Sequence, residues 1–228
     1  MKYQDVISAV FINRENRFIA TVKTEKGIER VHVKNTGRCR ELLVEGATVY
    51  LERGREGRKT AFDLVAVEKK TEKGTLLINM DSQAPNIMVG EWLKGGLFSK
   101  DAKLRAEYTY GDSRIDFFVI DGDKKALVEV KGVTLENDGV ARFPDAPTER
   151  GKKHLRELIK AKKEGYESYV LFVIQLCEVS RFEPNIDTDP EFARLLCECR
   201  NNGVNILAFK SCITPEQAYI TDPVSVFL

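Results

Sequence analysis

Residues 113–135 read SRIDFFVIDGDKKALVEVKGVTL: two apolar runs joined by an acidic, glycine-containing turn. The DGDKK turn predicts a β-hairpin with RIDFFVID and ALVEVKGV as its strands. Strands this apolar read as core, yet they carry Asp116, Glu129 and Lys131. Side chains alternate along a strand, so Glu129 and Lys131 share a face with Leu127, roughly 6.6 Å apart at ~3.3 Å per residue, while Val128 and Val130 take the other face. One hairpin thus gathers two acids and an amine. Two carboxylates about 4 Å apart repel by roughly 4 kcal/mol at an effective dielectric of 20, and a divalent cation relieves that conflict. Mg2+ or Mn2+ suits the expected donors: Asp116, Glu129, a backbone carbonyl at Val130 and substrate phosphate oxygens. Lys131 beside them would position or deprotonate a water, or stabilise charge developing on phosphorus. An isolated E-x-K is more often a solvated face with surface ion pairs; the partner-strand acid and the apolar surroundings favour the site.

Downstream, a helix is expected over 148–164. Asp145 or Thr148 caps it, Pro147 sits near its start, Leu155, Leu158 and Ile159 form an apolar stripe, and Gly165 ends it. Its other face lines up Arg150, Lys153, His154 and Glu157, a set able to grip a phosphate, with His154 the candidate acid–base group. The bland alternative is a solvated charged face. Strands near 106–110, 114–120, 126–133, 169–175 and 204–209, with a second helix over 190–201, describe an α/β domain with a mixed sheet flanked by helices.

Upstream, from residue 5 to about 80, short alternating segments follow one another: DVISAVFINR, RFIATVKT, IERVHVK, ATVYLER, AFDLVAVEKK and GTLLINM. That patterning predicts a small antiparallel barrel, OB-like or SH3-like. Residues 83–100, with Pro85, an apolar stretch and Gly95-Gly96, read as a linker with a short helix. The expected organisation is a barrel over 1–82, the linker, and the α/β domain over 101–228. Residues 1–80 hold 16 Lys and Arg against 11 Asp and Glu, and the remainder 20 against 24, so the basic half is the barrel. Its turns KNTGRCR and RGREGRKT supply Lys34, Asn35, Thr36, Arg38, Arg40, Arg58 and Lys59 as candidate nucleic-acid contacts. Tyr50 and Phe62 would stack bases if they face outward; the alternative is core packing. The Gly-x4-Gly-Lys spacing of a P-loop is missing.

The chain has 228 residues, 43% of them hydrophobic and 31% charged, enough for a sizeable core. It has no long uncharged apolar run, its N-terminus lacks a signal-peptide pattern, and its five cysteines are scattered, which together imply a cytoplasmic protein with reduced thiols.

At SRIDF, EVKGVTL and FPDAPTERGKKHLREL, and also at HVKNTGR, DPEFARLL and DPVSVFL, the sequence closely resembles the sugar fermentation stimulation protein family over nearly its full length. The resemblance implies an OB-type domain fused to a PD-(D/E)XK nuclease-like domain, DNA binding, and a role in regulating sugar metabolism. The nuclease-like pattern then falls on Asp116 and on Glu129-Val130-Lys131, with Glu91 or Glu107 as an additional upstream acid. Lys34 and Cys39 depart from the proline and methionine expected in the barrel motif. A divalent-metal-dependent nuclease and a non-catalytic DNA-binding regulator are the two functions this reading carries forward; a sugar-phosphate enzyme has no signature here.

Overall fold

The computed structural model describes residues 1–35, 37–72 and 74–228. Its first half is built from β1 (Val6–Arg14), β2 (Ile19–Thr24), β3 (Gly27–Val33), β4 (Thr48–Arg53), β5 (Phe62–Thr71) and β6 (Gly74–Asn79). The strands run in the order β3-β2-β1-β4-β5-β6, and β3 also pairs with β5 in parallel, which closes the first five into an OB barrel. Alternation drives the closure: Ala20, Val22, Val31, Val33, Val49, Leu51 and Leu64 turn inward and are at most 1% exposed. Phe62 joins this core rather than offering a free face, and the Tyr50 hydroxyl donates to Glu68 at 2.8 Å, so the core-packing alternative holds for Phe62.

The segment expected as a linker contains α1 (Ala84–Leu93), which buries Ala84, Pro85, Met88, Val89 and Leu93 against the second sheet. It is a packed layer, not a tether. Residues at the very N-terminus also belong to this side: the terminal amine donates to Ala218 O at 2.8 Å, and Tyr3 N to Glu216 O at 2.8 Å.

The second sheet comprises β7 (Lys103–Tyr110), β8 (Ser113–Asp121), β9 (Lys124–Val133), β12 (Glu167–Ile174), β14 (Asn205–Thr214) and β15 (Gln217–Pro223), in the order β15-β14-β12-β9-β8-β7. The β7–β8–β9 meander is antiparallel, β9, β12 and β14 are parallel, and β15 returns antiparallel. β14 thus runs five residues beyond the expected strand and turns into a hairpin. A smaller sheet, also absent from the sequence reading, joins β10 (Leu135–Asn137), β11 (Val140–Phe143), β13 (Arg181–Pro184) and β16 (Ser225–Val226).

The helices α2 (Glu149–Lys163) and α3 (Pro190–Asn201) cover one face of the six-stranded sheet. Thr148 caps α2 by accepting from Gly151 N at 3.0 Å, and Gly165, at φ +92°, follows its last turn as anticipated. Leu155 and Leu158 are fully buried, with Ile159 half-buried beside them. The C-terminal half of the chain docks directly on the barrel. Asn79 N donates to Gln175 O at 2.9 Å, and the buried Gln175 amide donates to Asn79 O, Asn79 Oδ1 and Asp81 O at 3.1, 2.9 and 3.1 Å. These bonds satisfy polar groups that the seam removes from water.

Candidate metal and nucleic-acid site

The site forms where β8 leaves β9. Their ladder runs from Asp121–Lys124 to Phe117–Val128 and stops, and the β7–β8 ladder skips the pair between Ala106–Phe117 and Tyr108–Ile115. At the skipped position Glu107 has φ +57°. With its strand partner gone, the Val130 N–H is satisfied by the side chain at the fork: Asp116 Oδ2 accepts it at 2.8 Å. A strand residue sends its N–H and C=O to the same side, so the Val130 carbonyl faces this opening too. Asp116 Oδ1 accepts from Asn86 Nδ2, on α1, at 2.8 Å. Asn86 is a supporting residue the sequence reading missed, since nothing in APNIMVGEWL marks it.

Glu129, 2% exposed, lies next to this fork. Its Oε1 accepts from Lys131 Nζ at 2.6 Å and meets Nδ1 of the buried His154. The alternation argument for Glu129 and Lys131 is therefore met by a direct ion pair. Among the described residues, Glu129 Oε2 is buried with no hydrogen-bond partner.

The two acids are driven apart electrostatically. Burial raises the Asp116 carboxyl above its ordinary value, the Glu129 charge raises it further, and the Val130 and Asn86 bonds offset only part of this. Burial also pushes Glu129 upward, but Lys131 and His154 overcome it and hold the carboxyl below its usual range. Carboxylates whose environments separate them this way are typical of sites that divide chemical roles.

The other candidates are scattered in their partners. Glu107 is half-exposed and pairs with Arg114 at 2.7 Å, while Glu91 pairs with the N-terminal amine at 2.7 Å. Lys34 meets the buried Asp81 at 2.5 Å, and Arg58 forks onto Asp63 at 2.7 and 2.8 Å. Their charges are spent inside the barrel half. Arg38, Arg40 and Lys59 are exposed, as is Arg150; Lys153, also exposed, donates to Asp112 O at 2.6 Å. Asn35 Oδ1 accepts from Gly37 N at 2.8 Å, and Thr36 lies outside the described residues. Arg14, another residue not singled out from sequence, braces this loop. Its guanidinium donates to the carbonyls of Asn35, Gly37 and Arg38 at 2.7, 2.8 and 2.8 Å, and to Arg17 O at 2.8 Å.

An OB barrel followed by a mixed-sheet domain with helices, with acids at a strand fork, defines a two-domain α+β protein with a charged centre in its second sheet. Family models match both parts: "SfsA N-terminal OB domain" over residues 12–78 and "Sugar fermentation stimulation protein RE domain" over 83–217. The chain belongs to the sugar fermentation stimulation protein family. It is 50% identical to the sugar fermentation stimulation protein homolog of Clostridium beijerinckii, covering 100% of both chains, and 49% identical to that of Desulfitobacterium hafniense, covering 100% of this chain and 99% of the relative. Among solved structures it is similar to Pyrococcus furiosus SfsA in complex with Ca2+, with a TM-score of 0.87 and 27% identity, covering 100% of this chain and 98% of the other.

Proposed function

We propose that this protein is a divalent-metal-dependent nuclease that hydrolyses phosphodiester bonds in nucleic acid, with DNA as the substrate and Mg2+ or Mn2+ as the ion. The observation that carries the reading is the orphaned, buried Glu129 Oε2 beside the Asp116 fork. A buried acceptor without a donor costs about 1–3 kcal/mol, and a cation removes that cost. Asp116, Glu129 and the Val130 carbonyl would hold the ion. Mg2+ is commonly held by one or two carboxylates plus waters and substrate phosphates, a set to which Asp116 and Glu129 would contribute the carboxylates. That a similar protein was solved with Ca2+, another oxygen-preferring cation, supports the same donor chemistry.

When bound, the ion supplies a Lewis acid for a phosphoryl oxygen and lowers the pKa of its water. The chain's own residues do the rest. Lys131 holds Glu129 and offers N–H groups to negative charge growing on the phosphate. His154 fixes Glu129 from the helix side and acts as a positioning residue, while Asn86 and the Val130 amide fix Asp116. Arg38, Arg40, Lys59, Arg150, Lys153 and Asn35 bind backbone phosphates; Lys34 and Arg58 support the barrel loops through Asp81 and Asp63.

A non-catalytic DNA-binding regulator is the second reading, favoured by the Lys131 ammonium being committed to Glu129. Cleavage assays on single-stranded, duplex and branched DNA and on RNA, in Mg2+ and Mn2+, separate the two. The nuclease reading expects cleavage by the wild type and its loss in Lys131→Ala. Equal binding in chelator with no cleavage of any form selects the regulator.

A further inference from the structure

At the seam between barrel and α/β domain lies a cavity of about 280 Å3, of whose lining the nuclease reading uses only Asn35. One wall is the stretch Gly132–Leu135, the direct continuation of the strand that carries Glu129 and Lys131. Thr134 is three residues past Lys131, roughly 10 Å along an extended chain at ~3.3 Å per residue, the scale of one nucleotide. Ser82, on another wall, stands four residues before the Asn86 that holds Asp116. The cavity and the acidic centre are therefore neighbours on shared elements.

Its lining is mixed in a particular way. Val133, Leu135 and Phe143 are apolar, Asn35, Ser82, Thr134 and Gln175 are polar, and Arg142 and Asp145 bring one fork of donors and one carboxylate. The Arg142 contact to Glu183 is a single bond at 3.2 Å, leaving most of its donors for another partner. Asp145 stands at the rim against the barrel loop, where a Cβ on Gly37 would come within 2.8 Å of Asp145 Oδ2. An isolated phosphate is a poor occupant, because the single cation of the lining is accompanied by a carboxylate. A planar heterocycle is a good one: its faces take the apolar Leu135 and Phe143, and its edge, with both donors and acceptors, takes Arg142, Asp145 and the polar side chains beside them. The volume falls just under the usual range of ligand cavities, about 300–1,000 Å3, enough for one base and too little for a base pair.

We propose that this cavity receives a single unpaired base of the substrate strand, next to the phosphodiester held at Asp116 and Glu129. The inference rests on the nuclease reading for its direction and names the substrate class: strands with an unpaired nucleotide beside the cleavage point, such as single strands, flaps or frayed ends. The metal is not needed for the base to bind.

The test uses the full chain, 15N-labelled and in EDTA, titrated with the four deoxynucleoside 5′-monophosphates and with 2-deoxyribose 5-phosphate. The expected result is amide shifts at Gly132, Thr134 and Asp145, with the sugar phosphate about tenfold or more weaker than the nucleotides, the scale of a lost base contact. Leu135→Trp, which fills the cavity, and Arg142→Met, which removes the donors, should each weaken nucleotide binding by about tenfold. The second variant keeps the test valid if the first misfolds. Sugar phosphate binding as well as nucleotides, shifts confined to other surfaces, or no binding up to about 5 mM, beyond the millimolar range of a weak site, overturns the proposal. Nucleotide binding that follows these expectations in a protein that cuts nothing leaves the cavity assigned and removes the nuclease reading instead.

Discussion

Asp116→Asn separates the cost of the charged centre from its use. In the wild type the buried Asp116 carboxylate pays for desolvation and for the nearby Glu129 charge. At an effective dielectric of 20 two like charges repel by roughly 4 kcal/mol at about 4 Å and roughly 2 kcal/mol at about 8 Å. Lys131 and His154, both on Glu129, offset most of this, leaving a relief of about 1 kcal/mol when Asp116 loses its charge. The hydrogen bonds survive: the new amide oxygen still accepts from Val130 N, and Asn86 can turn its own oxygen toward the new NH2. In EDTA the variant should therefore melt about 2–4 °C above the wild type for a chain of this size. With Mg2+ or Mn2+ at about a hundredfold its dissociation constant the order reverses, because the wild type gains roughly 2.7 kcal/mol, or about 5–10 °C, and the variant gains almost nothing. Calorimetry or dye-based melting at matched ionic strength reads both arms. A variant that melts below the wild type in EDTA, or that keeps the wild-type response to metal, refutes the account of the fork as a repulsive pair awaiting a cation.

Asp189→Ala should cost about 2 kcal/mol, since Asp189 caps α3 through Phe192 N at 3.0 Å and also holds Thr148 N at 2.9 Å. Burial pushes that carboxyl up, but the two amides and Lys152 bring it below the usual range. Its stabilisation is thus complete above the unfolded value near 3.9 and is lost as pH falls through the lower folded value, so the difference from wild type in urea melts should close only below about pH 4. Arg14→Ala frees the carbonyls of Asn35, Gly37 and Arg38 from their shared donor; hydrogen exchange over 34–40 should accelerate while exchange in α2 stays unchanged, and protection equal to wild type would deny the brace. Arg38→Ala with Lys59→Ala should weaken nucleic-acid binding across sequences and reduce the salt slope by about 2, one per phosphate contact; unchanged affinity would take the barrel loops out of the interface.

What could be read from the chain was local. The DGDKK turn, the two-residue period that sets Glu129 and Lys131 on one side, the barrel strands and the Thr148 cap all depend on neighbours a few residues apart, and all are present. The smaller sheet escaped notice because its strands are two to four residues long and belong to distant parts of the chain, too short for any period to register.

The working environment of the site was decided only by the tertiary fold. Asn86 reaches Asp116 across 30 positions, and His154 reaches Glu129 across 25. Lys34 and Arg58 look like phosphate ligands in sequence because a cation's meaning depends on its partner, and Asp81 and Asp63 arrive from other strands and loops. Sequence determined which charged groups enter the apolar strands; packing determined which of them keep a free valence. Side-chain period follows from backbone geometry at short range, whereas neutralisation, burial and the seam cavity arise from contacts between elements that the period does not encode.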